Sequence, residues 1–475
     1  MTRHHPISAR IDASLAPAYG LAVLRALEGA GHEAWFVGGW VRDALRGEPA
    51  HDVDVCTSAA WADSKRALLA AGIEVHETGT AHGTVTAVVA GRPVEVTTYR
   101  VDGAYTDFRH PDSVRFVSDV REDLARRDFT VNAMAWHPVC GLLDPFGGCD
   151  DLAAGVVRAV GEPRRRFSED ALRVLRAVRF ACRLGFAIEP RTQQALAHAA
   201  PELVHVARER VGAELAGIVD SGRAAWALRA QTEVLAAAIP ELAAMRGFDQ
   251  RSPYHSYDVL EHTARVLEGV ECFSGGVAST RLRWAALLHD VGKPACFTVD
   301  ERGQGHFFGH PHEGAVVAGR ILRELAIPGE LARGVVALVR LHDRPMKASV
   351  SSELKLLAEL DRRSASRGRA ETLGLMFEML DLRRADALAK APTCRDWARE
   401  LDSHECVLRA LAASDACWRM DGLAISGADV MAAVHVAPGP RVGELLRAAL
   451  GAVMAGWVPN DRTALLHWLG DQQTI

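Results

Sequence analysis

Two aspartates spaced two apart, Asp52 and Asp54, follow a Gly-Gly pair and an arginine within the run VGGWVRDALRGEPAHDVDVCT (37–57). On a strand, side chains two apart share a face, so both carboxylates can reach the same hard cations. Magnesium in phosphoryl-transfer sites is held by one or two carboxylates plus substrate phosphates. Gly38 and Gly39 permit close backbone approach to an anion, and Arg42 can pair with phosphate oxygens. Either signal alone is weak, because Asp-x-Asp also describes a solvated acidic strand and Gly-Gly a plain turn. Together, with the strand-like Val53 and Val55 between the acids, they point to nucleotidyl transfer.

Such residues need a sheet to hold them. Residues 15–30 carry helical periodicity that ends near Gly29–Gly31. From Ala34 to about Val160 short β-like runs dominate: AWFVGG, DVDVCT, GTVTAVVAG, RPVEVTTYR and SVRFV. Turns containing Gly, Pro and Asp separate them. The runs GTVTAVV and PVEVTTY alternate as a hairpin, with Glu95 on the second strand. Beyond Arg164 the chain becomes rich in Ala, Leu, Arg and Glu at helical spacing. That shift near 160 marks one boundary; Gly247–Pro253 and the polar stretch Lys347–Ser352 mark two more. The expected fold class is α+β: a head with a small mixed β-sheet over 1–160, then all-α segments over 161–250, 251–345 and 346–475.

Bulk properties narrow the setting. The nine cysteines are scattered and none forms a C-x-x-C pair, which argues against a disulfide framework or zinc ribbon. No N-terminal apolar run resembles a signal peptide, and no stretch of about 18 apolar residues is present to span a bilayer. A soluble, reducing, cytoplasmic setting with no membrane partner is expected. The net charge of −5 argues against indiscriminate nucleic-acid binding, so an RNA surface must be a local arginine-rich groove.

Two further runs concentrate charge. In RRDFTVNAMA (126–135), Arg127, Asp128 and Asn132 offer a phosphate clamp, an acceptor and an amide, while Asp128 also reads as a plain helix N-cap. In EDALRVLRAVRF (169–180), Asp170, Arg173, Arg176 and Arg179 recur every third residue beside the apolar Leu172, Leu175 and Val178. By itself that spacing equally describes a solvated ladder of ion pairs on one helix face.

In order, VGGWVRD, HDVDVCT, VEVTTYR, RRDFTVNAMA, DPFGG, EDALRVLRAVRF and RERVGAEL resemble the class II tRNA nucleotidyltransferase and poly(A) polymerase family over residues 20–220 or so. The resemblance implies a nucleotidyltransferase head in which Asp52 and Asp54 bind two Mg²⁺ ions, with Glu95 as a third carboxylate. It implies that Gly38, Gly39 and Arg42 contact the incoming triphosphate, that Arg127 holds phosphate, and that Asp128 and Asn132 sit near the ribose. Asp170 and Arg173 are then the pair that reads the Watson–Crick edge of CTP or ATP. Arg176 and Arg179 become further nucleotide contacts, and RERVGAEL (208–215) a brace for that helix. A carboxylate beside a guanidinium offers acceptors and donors in one plane, which suits base-edge hydrogen bonding. In the family the loop GAYTDFRHPDSVRF (103–116) helps switch from C to A addition. The implied reaction is stepwise addition of C, C and A to a tRNA 3′ end, with CC-only, A-only and poly(A) addition as alternatives.

A second set of ligand types lies in the middle third: His262 in YDVLEHTARVL, His289-Asp290 in LRWAALLHDVGKP, His310 in GHFFGHPHEGA and His342-Asp343 in VVALVRLHD. Imidazole with carboxylate suits a divalent metal. The arrangement resembles the HD metal-dependent phosphohydrolase superfamily over 255–345 or so. It implies primary ligands His262, His289, Asp290 and Asp343, with His310, His312 and His342 available to a second ion; which divalent metal is left open. Phosphatase or 2′,3′-cyclic phosphodiesterase activity, as in some members, stands beside an inert structural domain. A phosphohydrolase with an RNA-binding head is the competing reading of the whole chain. In the tail, the segment 421–456 resembles the part of these enzymes that contacts tRNA, and its APGPRVG turn is either a phosphate grip or a bundle corner.

Overall fold

A computed structural model of the chain describes residues 11–49, 52–103 and 114–471, so most of the loop expected to switch additions (104–113) lies outside the described residues. The chain divides into two compact units, Met1–Arg223 with Gln231–Ala238, and Ala224–Ala230 with Ile239–Ile475.

Among the described residues of the first unit, seven strands form one sheet. They are β1 (Ala34–Val37), β2 (Asp54–Thr57), β3 (Glu74–Gly79), β4 (Thr84–Val89), β5 (Arg92–Thr98), β6 (Ala135–His137) and β7 (Gly141–Leu143). Their order is β3-β4-β5-β2-β1-β6-β7. β2 runs parallel to β5 and the other pairings are antiparallel, so the sheet is mixed, as expected. The β4–β5 hairpin closes through Ala90 and Gly91, both at positive φ (49° and 75°), the conformation that two-residue hairpins favour. Period-two burial of Val85, Ala87, Val94 and Val96 turns one face of this hairpin inward. Helix α1 (Ala18–Gly29) lays Val23, Leu24 and Leu27 against β1 and β4.

Strand register decides where the chemistry falls. Val37, at the end of β1, pairs with Asp54 on one side and Ala135 on the other, and Asp54 pairs in turn with Glu95. The Gly-Gly turn, the Asp-x-Asp pair and the RRDFTVNAMA segment therefore meet at one end of the sheet. From there β1 passes through Gly38 into α2 (Gly39–Leu45). Gly38 has φ 71°, where a side chain is strained, and a Cβ would also sit 3.1 Å from Arg127 Nη1.

Two local expectations change. RRDFTVNAMA makes a single 3₁₀ turn (Thr130–Asn132), so Asp128 caps no α-helix; its Oδ1 accepts from Phe129 N at 2.8 Å and from Asn132 Nδ2 at 3.2 Å. Asp170 is not on the arginine helix, because its extended backbone (φ −146°, ψ 105°) ends the preceding helix Pro163–Glu169. The arginine stripe starts on α3 (Arg173–Leu184), which buries Val174, Leu175 and Val178 and packs on α4 (Arg208–Val219).

The second unit is helical among its described residues apart from a two-residue hairpin, 298–299 with 305–306. Helices α5 (Val259–Phe273) and α6 (Thr280–Leu288) open on Asp258 and Ser279, whose side chains accept from Glu261 N and Leu282 N. Then come α7 (His310–Glu324), α8 (Gly329–Leu341), α9 (Arg369–Ala389) and α10 (Arg395–Ala412); α5 packs along α9, α7 along α8, and α10 along α9. The HDVGK turn after α6 touches α7 so closely that a Cβ on Gly292 would lie 2.5 Å from Gly314 N and 2.6 Å from His310 O. Glycine is what lets His289 and Asp290 approach His310. Val430, Leu445, Leu465 and Leu469 belong to a small core of their own near the C-terminus, shared with helix Pro440–Ala455, which opens at the APGPRVG turn. Among the described residues no helix is long and apolar enough to cross a membrane.

Candidate functional site

In the first unit one cavity of about 470 Å³ is lined by eight arginines against five aspartates. The sheet end supplies Gly38, Gly39, Arg42, Asp52 and Asp54; the 3₁₀ segment supplies Arg127, Asp128 and Asn132; α3 and the residues before it supply Asp170, Arg173, Arg176 and Arg179. Glu95 stands exposed on β5 beside Asp54. Burial pushes the Asp54 carboxyl up to about 6; Arg127 opposes that, and the charges of Glu95 and Asp52 add to it. A partly buried carboxylate that resists ionisation, with other carboxylates beside it, gains from a hard cation, so this oxygen donor set fits a divalent metal.

The arginines are held in place by named partners. Arg42 is buried; its Nε and Nη2 donate to Asp43, both at 2.8 Å, and its Nη1 to Asn132 Oδ1 at 2.7 Å. Arg42 thus orients Asn132 as well as facing the cavity. Arg173 donates to Glu169 Oε2 (2.7 Å) and to the carbonyls of Arg166 and Arg126 (2.9 and 3.3 Å). Arg176 reaches Asp128 Oδ2 through Nε and Nη2 (2.9 and 2.6 Å), and Arg179 Nε reaches Glu214 Oε2 (2.5 Å). The Phe180 ring lies within 4.6 to 5.5 Å of the guanidinium carbons of Arg42, Arg176 and Arg179. These contacts replace the solvated ladder, since each carboxylate comes from outside α3. Asp170 accepts from Arg210 Nη2 at 2.9 Å and from Leu172 N at 3.0 Å.

In the second unit two sets of ligand atoms gather: His262, His289 and Asp386, then Asp290, His310 and His342. His262 Nε2 lies 3.4 Å from His289 Nε2, and His310 Nε2 lies 3.3 Å from His342 Nε2. The Nδ1 atoms of His289, His310 and His342 donate to the carbonyls of Ala286, Phe307 and Val339 at 2.8 to 2.9 Å, which leaves each Nε2 as a bare acceptor. A proton or a metal cation must lie between nitrogens that face each other so closely, and imidazole with carboxylate in each set suits a divalent metal. Asp290, 1% exposed, turns Oδ2 to His262 and His289 (3.4 and 3.2 Å) and Oδ1 to His310 and His342 (3.5 and 3.8 Å). One carboxylate thus faces both sets. Burial pushes it up, yet Lys293 and His289, when His289 is protonated instead of holding a cation, keep it well below the usual carboxylate range.

Asp343 was expected as a primary ligand. It is exposed and stands outside both sets, while Asp386 on α9 places Oδ1 3.0 Å from His262 Nε2. Asp343 nonetheless lines the same cavity as Asp290, His310, His342 and Asp386, at its exposed side. His312 is likewise exposed.

The CCA-adding enzyme of Geobacillus stearothermophilus is 34% identical to the chain over 450 residues, which span 94% of this chain and 95% of that protein. The chain belongs to the CCA-adding enzyme family. The family member from Lactiplantibacillus plantarum is 32% identical, with 94% of each chain covered. The crystal structure of the Bacillus stearothermophilus CCA-adding enzyme in complex with CTP matches at a TM-score of 0.71 and 31% identity, covering 96% of this chain and 97% of that one. Family models match the poly A polymerase head domain at 34–158, the HD domain at 254–366 and tRNA nucleotidyltransferase domain 2 at 382–469. As a member of the CCA-adding family the protein is a tRNA nucleotidyltransferase.

Arg126, Arg183, Arg210 and Asp43 also line the nucleotidyltransferase cavity and were not among the expected residues. Arg210 and Glu214 lie in RERVGAEL, where only the motif, and no particular side chain, suggested a brace. The pair Asp128–Arg176 yields a test. Burial pushes the Asp128 carboxyl up, but the charge and hydrogen bonds of Arg176, with the Asn132 amide, hold it at about 2. Its stabilising contribution is full above about pH 4 and disappears as pH falls through about 2. Arg176→Ala leaves the carboxylate buried and unpaired and is expected to cost about 2–4 kcal/mol in urea unfolding at pH 7. A change under about 1 kcal/mol would show that the pair holds nothing in place.

Proposed function

We propose that this enzyme adds C, C and A in turn to the 3′ end of tRNA, drawing on CTP and ATP with no nucleic-acid template. One observation carries the reading: Asp52 and Asp54 line the same cavity as Asp170 and Arg173, so reacting and base-reading groups share one chamber. Each oxygen of Asp170 accepts one bond, leaving a lone pair free on each. Three of the five N–H groups of Arg173 are engaged, so its Nε and one Nη2 hydrogen remain for a base edge. Arg127, Arg176 and Arg179 face the triphosphate, and Arg42 holds Asn132 toward the ribose. Asp52 and Asp54, with Glu95 beside them, would hold divalent cations, and an all-oxygen donor set suits a hard ion such as Mg²⁺. When bound, these ions acidify the attacking hydroxyl and neutralise the departing pyrophosphate. The name of the 34% identical relative and the CTP bound to the 31% identical one support the reading. A cytoplasmic location accords with a tRNA substrate and with nine unpaired cysteines.

The deciding assay offers CTP, ATP or both to tRNA transcripts that end before CCA, after C, and after CC. Growth of all three to a single CCA end is expected. Extension of only one substrate class marks a CC- or A-adding specialist, and long A tails a polymerase. No extension at all overturns the reading.

For the second centre we propose phosphate-ester hydrolysis, carried by Asp290, which faces both ligand sets at once. Water oxygen bonds to phosphorus, the ester oxygen departs, and the proton released by water ends on that oxygen. His262, His289 and Asp386 would hold one divalent ion and His310 and His342 another, with Asp290 facing both, and such ions would activate the attacking water and offset charge on the phosphate.

A further inference from the structure

The cavity of the second centre, about 290 Å³, reaches well beyond the ligand sets. Tyr254, Trp397, His306 and Phe308 line it together with Lys293 and Lys390. These rings are not core packing. Tyr254 is 48% exposed, Trp397 41% and Phe308 79%. Tyr254 and Trp397 lie with ring centroids 5.5 Å apart, and Phe308 stacks on His306 at 5.3 Å and 10°.

The frame that holds them also holds the ligand sets. Ala391 N donates to the carbonyl of Tyr254 at 2.8 Å, which straps the Tyr254 loop to the turn leading into α10, where Trp397 stands. Lys390 Nζ donates to Asp386 Oδ2 at 2.5 Å and lies 5.6 Å from the centre of the Trp397 ring. An ion-ligand carboxylate, an ammonium suited to phosphate and an open ring pair thus follow one another along a single cavity. Inorganic pyrophosphate has no ring face to offer such side chains, and a sugar offers only the C–H edge of a puckered ring. An unpaired nucleobase offers a flat face, and stacking on aromatic side chains contributes about 1–3 kcal/mol per base.

We propose that Tyr254 and Trp397 form a nucleobase subsite of this centre, which selects a phosphate ester carried by a nucleoside, either a free nucleotide or an RNA 3′ end. The proposal rests on the hydrolytic reading above. It assigns substrate choice to a residue outside the HD match, since that match ends at 366 and Trp397 lies within the segment 382–469.

The test uses the full-length protein with Mn²⁺ and measures phosphate release from adenosine 3′-phosphate, from a short single-stranded RNA ending in 3′-phosphate, and from glycerol 2-phosphate. Trp397→Ala is expected to raise KM about 5- to 100-fold for the base-bearing substrates with kcat little changed. Glycerol 2-phosphate turnover should not move, and Trp397→Phe should restore most of the loss. A KM effect confined to the RNA identifies an RNA end as the source; an effect on both identifies the nucleotide itself. An equal change for glycerol 2-phosphate, or no change for any substrate, overturns the proposal. If the wild type releases phosphate from none of the three, the hydrolytic reading has failed, and the subsite is judged by equilibrium binding of adenosine 3′-phosphate. That measurement compares wild type with Trp397→Ala, so that binding in the head cavity, common to both proteins, cancels. Binding that depends on Trp397 sustains the subsite; binding that is absent or independent of Trp397 overturns it.

Discussion

Asp54→Asn is expected to leave a folded protein whose incorporation of CTP and ATP into tRNA falls by about 10³-fold or more. The substitution keeps the shape of the side chain and its place opposite Val37 and Glu95 in the sheet, but removes the anion that a cation requires. Its effect on stability should have the opposite sign. Burial, with the charges of Glu95 and Asp52, raises the Asp54 carboxyl from 3.8 to about 6. Between those values the folded protein binds more protons than the unfolded chain, so stability falls as pH rises through that window and stays reduced above it. The Asn variant lacks this slope and, with chelator present, should be about 1–2 kcal/mol more stable than wild type at pH 8 and nearly equal at pH 4. Urea unfolding at the two pH values reads the difference. Full incorporation by a folded Asp54→Asn protein would remove the metal assignment altogether.

The second large effect belongs to Asp290. Because its two oxygens face different histidine pairs, Asp290→Asn should lower divalent-metal stoichiometry at both ligand sets and reduce phosphate release about 10³-fold or more. Incorporation into tRNA should stay within about twofold, as the residues of the nucleotidyltransferase cavity belong to the other compact unit. Lys293 Nζ lies 2.7 Å from Asp290 Oδ2 at 3% exposure, so losing that anion leaves a buried ammonium and is expected to cost stability. His310→Ala provides the control, since it removes a ligand without stranding a charge. Metal content by mass spectrometry and both activities are measured on the two variants. Parallel collapse of incorporation in a folded His310→Ala protein would end the division into two independent centres.

Much of this site could be read from local pattern. Asp52, Asp54, Gly38 and Gly39 signal themselves because a strand face and a tight turn are defined by spacing of one or two residues. The β4–β5 hairpin is equally local, since its alternation and its Ala90-Gly91 turn lie within a dozen residues or so. The histidines of the second centre were legible because His289-Asp290 and His342 interrupt apolar helical runs where a polar residue needs a reason.

What stayed hidden was the choice of several partners across long sequence separation. The pattern placed Asp170 on a helix with Arg173, Arg176 and Arg179, but the backbone breaks at Asp170 and packing against α4 brings it Arg210 instead. Asp386 sits in an unremarked helical stretch, and only the packing of α9 along α5 carries its carboxylate to His262. Asp343 showed the converse, a motif residue that lines the same cavity without joining either ligand set. Residue types and short spacings thus pointed to the chemistries proposed for this chain. Strand register and helix packing, which depend on burying apolar faces far apart in sequence, decided which of those residues meet.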